Sequence, residues 1–378
     1  MSPEEPAIRH ITGRELPDED IVVPEEPLVP PRPLAVRLVY LVVGLALFVT
    51  ALGLMKEGAR ALVDNLEGSI FTDNAWSTLG LGWLGACLVL SGSPMAASSL
   101  ALLDGKAIDR DEAFTMLTGS RLGAAFVVLV VGVIYAVRHR QEGNRRAPVS
   151  IGVLSLLMTS TVYVPGAIVG YLLLRRGTFD SFDIGTSPGL TSFTDSAFGW
   201  APDLVAEIAP DWLLFPVGLG VLLLGFNAFD RVLPAMTGDR LEREDDSWYT
   251  RKWPMFLVGC GVTMLTLSVA VSLTLLVPLV AKGVLRRANT LPYIAGANIT
   301  TLADTLVAAI VLGNQEGVQV VVAVTVVVTI WTLLLLTFAY KPLRAGLLGV
   351  ARVVLRSQTR LAVFAAALFA IPITLIAI

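Results

Sequence analysis

Cysteine and histidine are almost absent from this chain: two of each in 378 residues. Cys87 and Cys260 lie inside apolar runs, where two membrane-buried thiols are the plain reading, rather than a disulfide or a metal site. His10 and His139 lie in a tail and a loop, which excludes a histidine-based catalytic or metal cluster within the apolar runs. Charge is also scarce. Only 16% of residues are charged, against about 25% in a soluble domain. The net charge of −3 suggests no nucleic-acid partner. No nucleotide-binding loop, nucleophile–base pair or metal cluster is visible, so neither an enzyme nor direct ATP drive is expected.

Apolar residues fill the space that charge leaves. They make up 54% of the chain, and the mean hydropathy is +0.72. The expectation is an all-α polytopic membrane protein. Nine apolar runs can be drawn: Leu34–Met55, Thr78–Leu103, Phe114–Val137, Val149–Leu174, Trp212–Phe229, Pro254–Ala281, Thr290–Leu312, Val318–Tyr340 and Leu361–Ile378. Each matches the ~20 helical residues that span a ~30 Å hydrocarbon layer.

The runs recur in order. LTGSRLGAAF (Leu117–Phe126) and IAGANITTLA (Ile294–Ala303) align at an offset of 177, which also places Ser91 on Ser268. A slightly smaller offset aligns Val43–Met55 with Val217–Phe229. Two inverted-topology repeats are expected, each with a re-entrant helical hairpin and a broken transmembrane helix. This is the architecture of secondary transporters, with the substrate site between the repeats. The hairpins are assigned to Thr78–Leu103 and Pro254–Ala281, with break points at Ser91-Gly92-Ser93-Pro94 and between Ser268 and Pro278. The alternative for each is one continuous, kinked helix.

With both hairpins re-entrant, seven crossings remain and the charges sort by side. Loops Arg138–Pro148, Arg231–Trp253, Lys282–Asn289 and Lys341–Arg360 carry 17 Lys and Arg; Lys56–Ser77, Asp104–Ala113 and Arg175–Asp211 carry six. The positive-inside rule then places the amino terminus in the cytoplasm. The domain reading is a disordered acidic, Pro-rich tail (1–35), repeat one (36–148), a connecting helix and extracellular loop (149–210), repeat two (211–317) and two C-terminal helices (318–378). Composition points to a bacterial plasma membrane. Gly166-x-x-x-Gly170 marks a close helix contact, within the chain or across a homodimer.

The repeated hairpin and the segment Gly296-Ala297-Asn298-Ile299-Thr300-Thr301 resemble the type II sodium/phosphate cotransporter family, as do Gly44–Leu62 and Val277–Ala288. The resemblance covers roughly 36–137 and 214–340. In that family each repeat has a Gln-Ser-Ser-Ser hairpin and, about 30 residues later, an Asn-Ile-Gly-Thr-Thr motif. It implies sodium and phosphate bound through these polar groups. This chain departs from the pattern. Leu90 and Leu267 stand at the glutamine positions. The serine triplets read Ser91-Gly92-Ser93 and Ser268-Val269-Ala270. The first Asn motif reads Arg121-Leu122-Gly123-Ala124-Ala125, and Asp304 stands where threonine is frequent.

Arg121 and Asp304 are the only charges well inside the predicted spans. A charge at a helix centre costs at least about 2.5–3.5 kcal/mol, so both should face the interior. Arg121 could supply positive charge to an anion while Asp304 binds a cation or a proton. Alternatively the two pair, either opening during transport or serving as a fixed salt bridge. Asn298, Thr300 and Thr301 could coordinate an ion or substrate, or hydrogen-bond between helices. Ser91, Ser93 and Ser268 could line the site or permit close packing. The function expected is a secondary transporter of a small inorganic anion, with phosphate the family candidate, coupled to sodium or protons. The alternative is a transporter-like scaffold or subunit without transport. No resident cofactor is expected, only sodium as a coupling ion.

Overall fold

The computed structural model describes residues 33–66, 74–138, 146–182, 204, 210–230, 251–266, 268–281 and 285–378. The acidic tail, most of the 177–211 segment, and most of the basic loops at 138–148 and 231–253 lie outside the described residues. Among the described residues all regular structure is helical. Seven stretches are long and apolar enough to cross a membrane: Ala35–Val63, Arg110–Arg138, Arg146–Arg175, Asp211–Ala228, Arg287–Leu312, Gln315–Phe338 and Gln358–Ile376. Shorter apolar helices occupy Ala75–Val89 and Val269–Ala281. This is a multi-pass membrane protein.

Helix α1 (Leu34–Leu66) packs antiparallel on α7 (Leu214–Asp230). Gly218 lies against Met55 and Ala51, and Gly225 lies against Gly44 and Phe48. A residue with no Cβ at each crossing lets the backbones approach.

The run expected as a first hairpin is not a continuous helix. Helix α2 (Ala75–Val89) stops at Leu90, which is left-handed (φ 57°), and Ser91 is extended (φ −154°, ψ 136°). Helix α3 (Gly92–Asp104) then begins. A leucine in left-handed geometry is strained, since its Cβ crowds the next carbonyl. The break therefore falls at Leu90 and Ser91, the first residue of the expected Ser-Gly-Ser-Pro stretch. Pro94 lies in the first turn of α3, where a missing N–H leaves no intrahelical bond unmade.

The second run breaks twice. Helix α8 (Lys252–Thr266) is followed by extended Ser268 (φ −143°, ψ 113°) and α9 (Val269–Thr274). Helix α10 (Leu276–Ala281) follows after Leu275. Pro278 explains the second interruption: it cannot donate to Thr274, four residues earlier, and its ring crowds that carbonyl.

The longer partners are interrupted more gently. Helices α4 (Arg110–Ala124) and α5 (Phe126–Arg138) are separated at Ala125. Helices α11 (Thr290–Thr300) and α12 (Leu302–Leu312) are separated at Thr301. Both linking residues keep right-handed helical dihedrals, so no run of backbone carbonyls is freed there.

The offset of 177 reappears in the packing. A methyl group built on Gly82 of α2 would fall on the Met116 carbonyl, and one on Gly259 of α8 on the Tyr293 carbonyl. From the facing helices, Gly119 meets the Leu79 carbonyl and Gly296 the Phe256 carbonyl. Each residue in the first set lies 177 before its counterpart in the second.

Helix α6 (Arg146–Arg175) and helix α13 (Gln315–Phe338) pack together in the centre. Gly166 faces Val328, and Gly170 faces Phe114, so the Gly-x-x-x-Gly face is used inside the chain. Helix α15 (Gln358–Ile376) lies on α2, where Gly80 meets the Pro372 carbonyl. The expected loop Lys341–Arg360 instead contains helix α14 (Tyr340–Val354). Leu343, Leu347, Ala351 and Val354 recur at helical spacing, a signal hidden by the flanking arginines.

Ion pairs mark one end of the bundle. They join Lys56 to Asp104 (2.9 Å), Arg110 to Asp180 (2.6 Å), Asp111 to Arg175 (3.3 Å) and Lys106 to Glu316 (3.6 Å). At the other end Lys252 Nζ donates to the Leu336 carbonyl (2.8 Å) and Tyr340 donates to the Ala288 carbonyl (3.4 Å). Helix α4 begins at the first end, and α11 begins at the second.

Candidate functional site

The two central charges meet. Arg121 is 2% exposed and Asp304 is 6% exposed. Arg121 sits in the last turn of α4, and Asp304 in the first turn of α12. The guanidinium crosses between them. Its Nη1 donates to Thr301 Oγ1 (3.0 Å). Its Nη2 donates to Thr305 Oγ1 and, at a longer 3.4 Å, to Asp304 Oδ1. Thr305 Oγ1 also donates to Asp304 Oδ1 (2.9 Å).

Helical geometry explains the grouping. Thr301, Asp304 and Thr305 are spaced i, i+3, i+4, so they share one face where α11 gives way to α12. Arg121 is long enough to reach that face from α4. Burial removes water competition and strengthens each polar contact. It also raises the cost of any group left unmatched. Two atoms are left so: Arg121 Nε and Asp304 Oδ2 are buried without a hydrogen-bond partner among the described residues. Guanidinium and carboxylate are therefore not locked together through two parallel bonds, the geometry in which such a pair is strongest. The arrangement can exchange partners: the carboxylate can accept a cation or proton, and the guanidinium can donate to an anion.

Asn298 belongs to the same helix but faces α6. Its Oδ1 accepts from Thr159 Oγ1 (3.2 Å), and its Nδ2 lies 3.1 Å from the same oxygen. Tyr163, fully buried, donates to the Asn298 carbonyl (2.6 Å). Thr300 bonds back to the Gly296 carbonyl of its own helix (3.2 Å). Ser91 is half-buried at the start of α3, and its side chain makes no capping bond. Ser93 is buried one turn-step further on. Between them, Gly92 rests on the Ser120 carbonyl and Ala124, beside Arg121 in sequence. Ser268 caps α9 by accepting from Val271 N–H (3.3 Å).

Among the residues expected to form the site, Arg121, Thr301 and Asp304 are brought into direct contact. Asn298 and Thr300 are engaged elsewhere, and Ser268 serves its own helix. Sequence reasoning missed Thr305, Thr159 and Tyr163. Thr305 adjoins Asp304, and Thr159 and Tyr163 are one helical turn apart in an apolar run. A search for polar pairs at helical spacing would have found all three. It would also have found the chain of hydroxyls linking α8, α9 and α11, where Thr263 Oγ1 donates to Ser272 Oγ (2.7 Å) and Ser272 meets Tyr293 (2.9 Å).

No curated protein and no solved structure matches the chain. A family model described as Na+/Pi-cotransporter matches residues 221–377, from within α7 to the residue just after α15. The matched part carries Thr301, Asp304 and Thr305, the oxygen-bearing half of the buried cluster, and Asn298 beside it. The match spans less than half of the chain, and over those residues the chain is similar to that family.

Proposed function

We propose that the chain is a secondary active transporter of a small anion, with phosphate as first candidate, coupled to sodium or protons by alternating access. The family supports sodium-coupled phosphate transport at the coarser level. The observation that carries the finer reading is the Arg121–Asp304 contact. It joins α4 to α12 and leaves one buried polar atom on each side unmatched. A pair bound this loosely can open, offering Arg121 to an anion and Asp304 to a cation or proton.

Alternating access needs two bodies related by inversion. Three features favour it: the shared offset of the glycine crossings, the start of α4 and α11 at opposite ends, and the placement of each hairpin on its own long helix. Re-entrance of α2–α3 is supported by Thr78 bonding Thr115 near the start of α4 (2.7 Å) while Asp104 closes α3 on Lys56 (2.9 Å). Both ends of the hairpin thus lie at the ion-paired end of the bundle. We place that end outside and the amino terminus in the cytoplasm of a bacterial plasma membrane, with no enzymatic step. In a Cys87→Ser, Cys260→Ser background, Trp76→Cys and Lys106→Cys should both react with an impermeant thiol reagent added to intact cells. Reaction of one alone would leave α2–α3 a crossing.

The scaffold reading is favoured by a different observation. Asn298 is engaged through its side chain by Thr159 and through its carbonyl by Tyr163, as in a structural core. Reconstitution separates the two. Phosphate uptake into liposomes is expected under an inward sodium or proton gradient, and is expected to fall to background in Asp304→Asn and Arg121→Gln. Absence of gradient-driven uptake of phosphate and of a wider anion panel would favour the scaffold.

A further inference from the structure

We infer that the oxygens of Thr301, Asp304 and Thr305 form a sodium site for which the Arg121 guanidinium is a tethered competitor. This deepens the transport reading and rests on it only for its role in coupling. The donor set is two hydroxyls and a carboxylate, all hard oxygen ligands of the kind that bind hard cations. Their summed charge is −1, which suits a monovalent cation. A cationic group already stands there, but it belongs to the chain.

The internal repeat sharpens the point. At the offset of 177, Arg121 falls on Asn298, while Thr301 and Asp304 fall on Ala124 and Val127. The second copy therefore holds the oxygens and the first copy supplies the charge that fills them. The Arg121–Asp304 distance of 3.4 Å is long for a charge-assisted bond, and Asp304 Oδ2 is unmatched. The guanidinium occupies the set without satisfying it.

Competition has a consequence for order. Sodium entering the oxygens releases Arg121, which can then donate to an anion. An anion drawing Arg121 away opens the oxygens to sodium. By linkage each ligand must raise the affinity for the other by the same factor. Arg121 would thus couple the two without sodium touching the anion.

The test reads binding rather than transport. Thermal unfolding of purified protein is followed across sodium concentrations, with choline as the replacement cation, with and without phosphate. Removing a competitor that fills most of the population lowers the apparent dissociation constant by the fraction it had blocked. Arg121→Gln should therefore half-saturate at about tenfold lower sodium than the unsubstituted protein. Arg121→Gln/Asp304→Asn should lose this response. Phosphate should lower the half-saturating sodium concentration in the unsubstituted protein and have no effect in Arg121→Gln. Sodium half-saturation in Arg121→Gln unchanged or raised would overturn the inference. So would failure of Arg121→Gln to fold even in sodium while the double variant folds. Sodium binding as described without uptake would instead defeat the transport reading and leave the site standing.

Discussion

Arg121→Leu, measured in sodium-free buffer, is expected to cost about 3–5 kcal/mol of stability, and Arg121→Leu/Asp304→Leu to regain most of it. The asymmetry follows from burial. With the guanidinium gone, the Asp304 carboxyl is left in a site 6% exposed, with the Thr305 hydroxyl as its remaining partner among the described residues. An uncompensated buried charge is far worse than none. Replacing both partners removes the desolvation cost together with the attraction. Asp304→Leu alone should be harmful in the same way, since Arg121 would retain only the hydroxyls of Thr301 and Thr305. Denaturant titration of the four proteins as a double-mutant cycle gives the coupling directly. Equal losses that simply add would mean that the two charges do not stabilise each other.

The second large effect concerns the glycine crossings. Gly82→Val and Gly259→Val should each destabilise the fold by about 1–3 kcal/mol or more, and to similar extents. In each, the first side-chain carbon would collide with a backbone carbonyl, Met116 in one case and Tyr293 in the other. A carbonyl held in a helix cannot swing aside as a side chain can. Gly220→Val and Gly261→Val are the controls, because nothing lies within 4 Å of a Cβ at either position. They should leave the unfolding midpoint nearly unchanged. A loss at Gly82 with none at Gly259 would mean that the two crossings are not mechanically equivalent.

Much of the fold was legible because lipid imposes a simple rule. Every spanning segment needs about 20 apolar residues with its backbone bonds satisfied internally. The long spans could therefore be read from composition alone. The glycine crossings were legible through small residues that recur at an offset of 177. Helix α14 was not, because arginines every few residues mask an apolar face that the periodicity still carries. The breaks were placed only approximately. Pro94 and Pro278 announce a fault nearby, but a proline in a first turn is tolerated, so the fault lies upstream of each.

The candidate site divides in the same way. That Arg121 and Asp304 must face inward follows from the price of a charge in hydrocarbon, and needs no coordinates. Which groups surround them does not follow. Thr305 and Thr301 join the cluster because one residue's rotation along α12 decides which side chains share a face. Asn298, three residues before Thr301, turns instead to Thr159 and Tyr163 on α6. Sequence by itself determined the membrane class, the number of long spans and the two charges that need a partner, since these depend on counts and spacing. Only the tertiary structure decided that Arg121 reaches Thr301, Asp304 and Thr305, because contacts across 180 residues depend on how helices cross and turn.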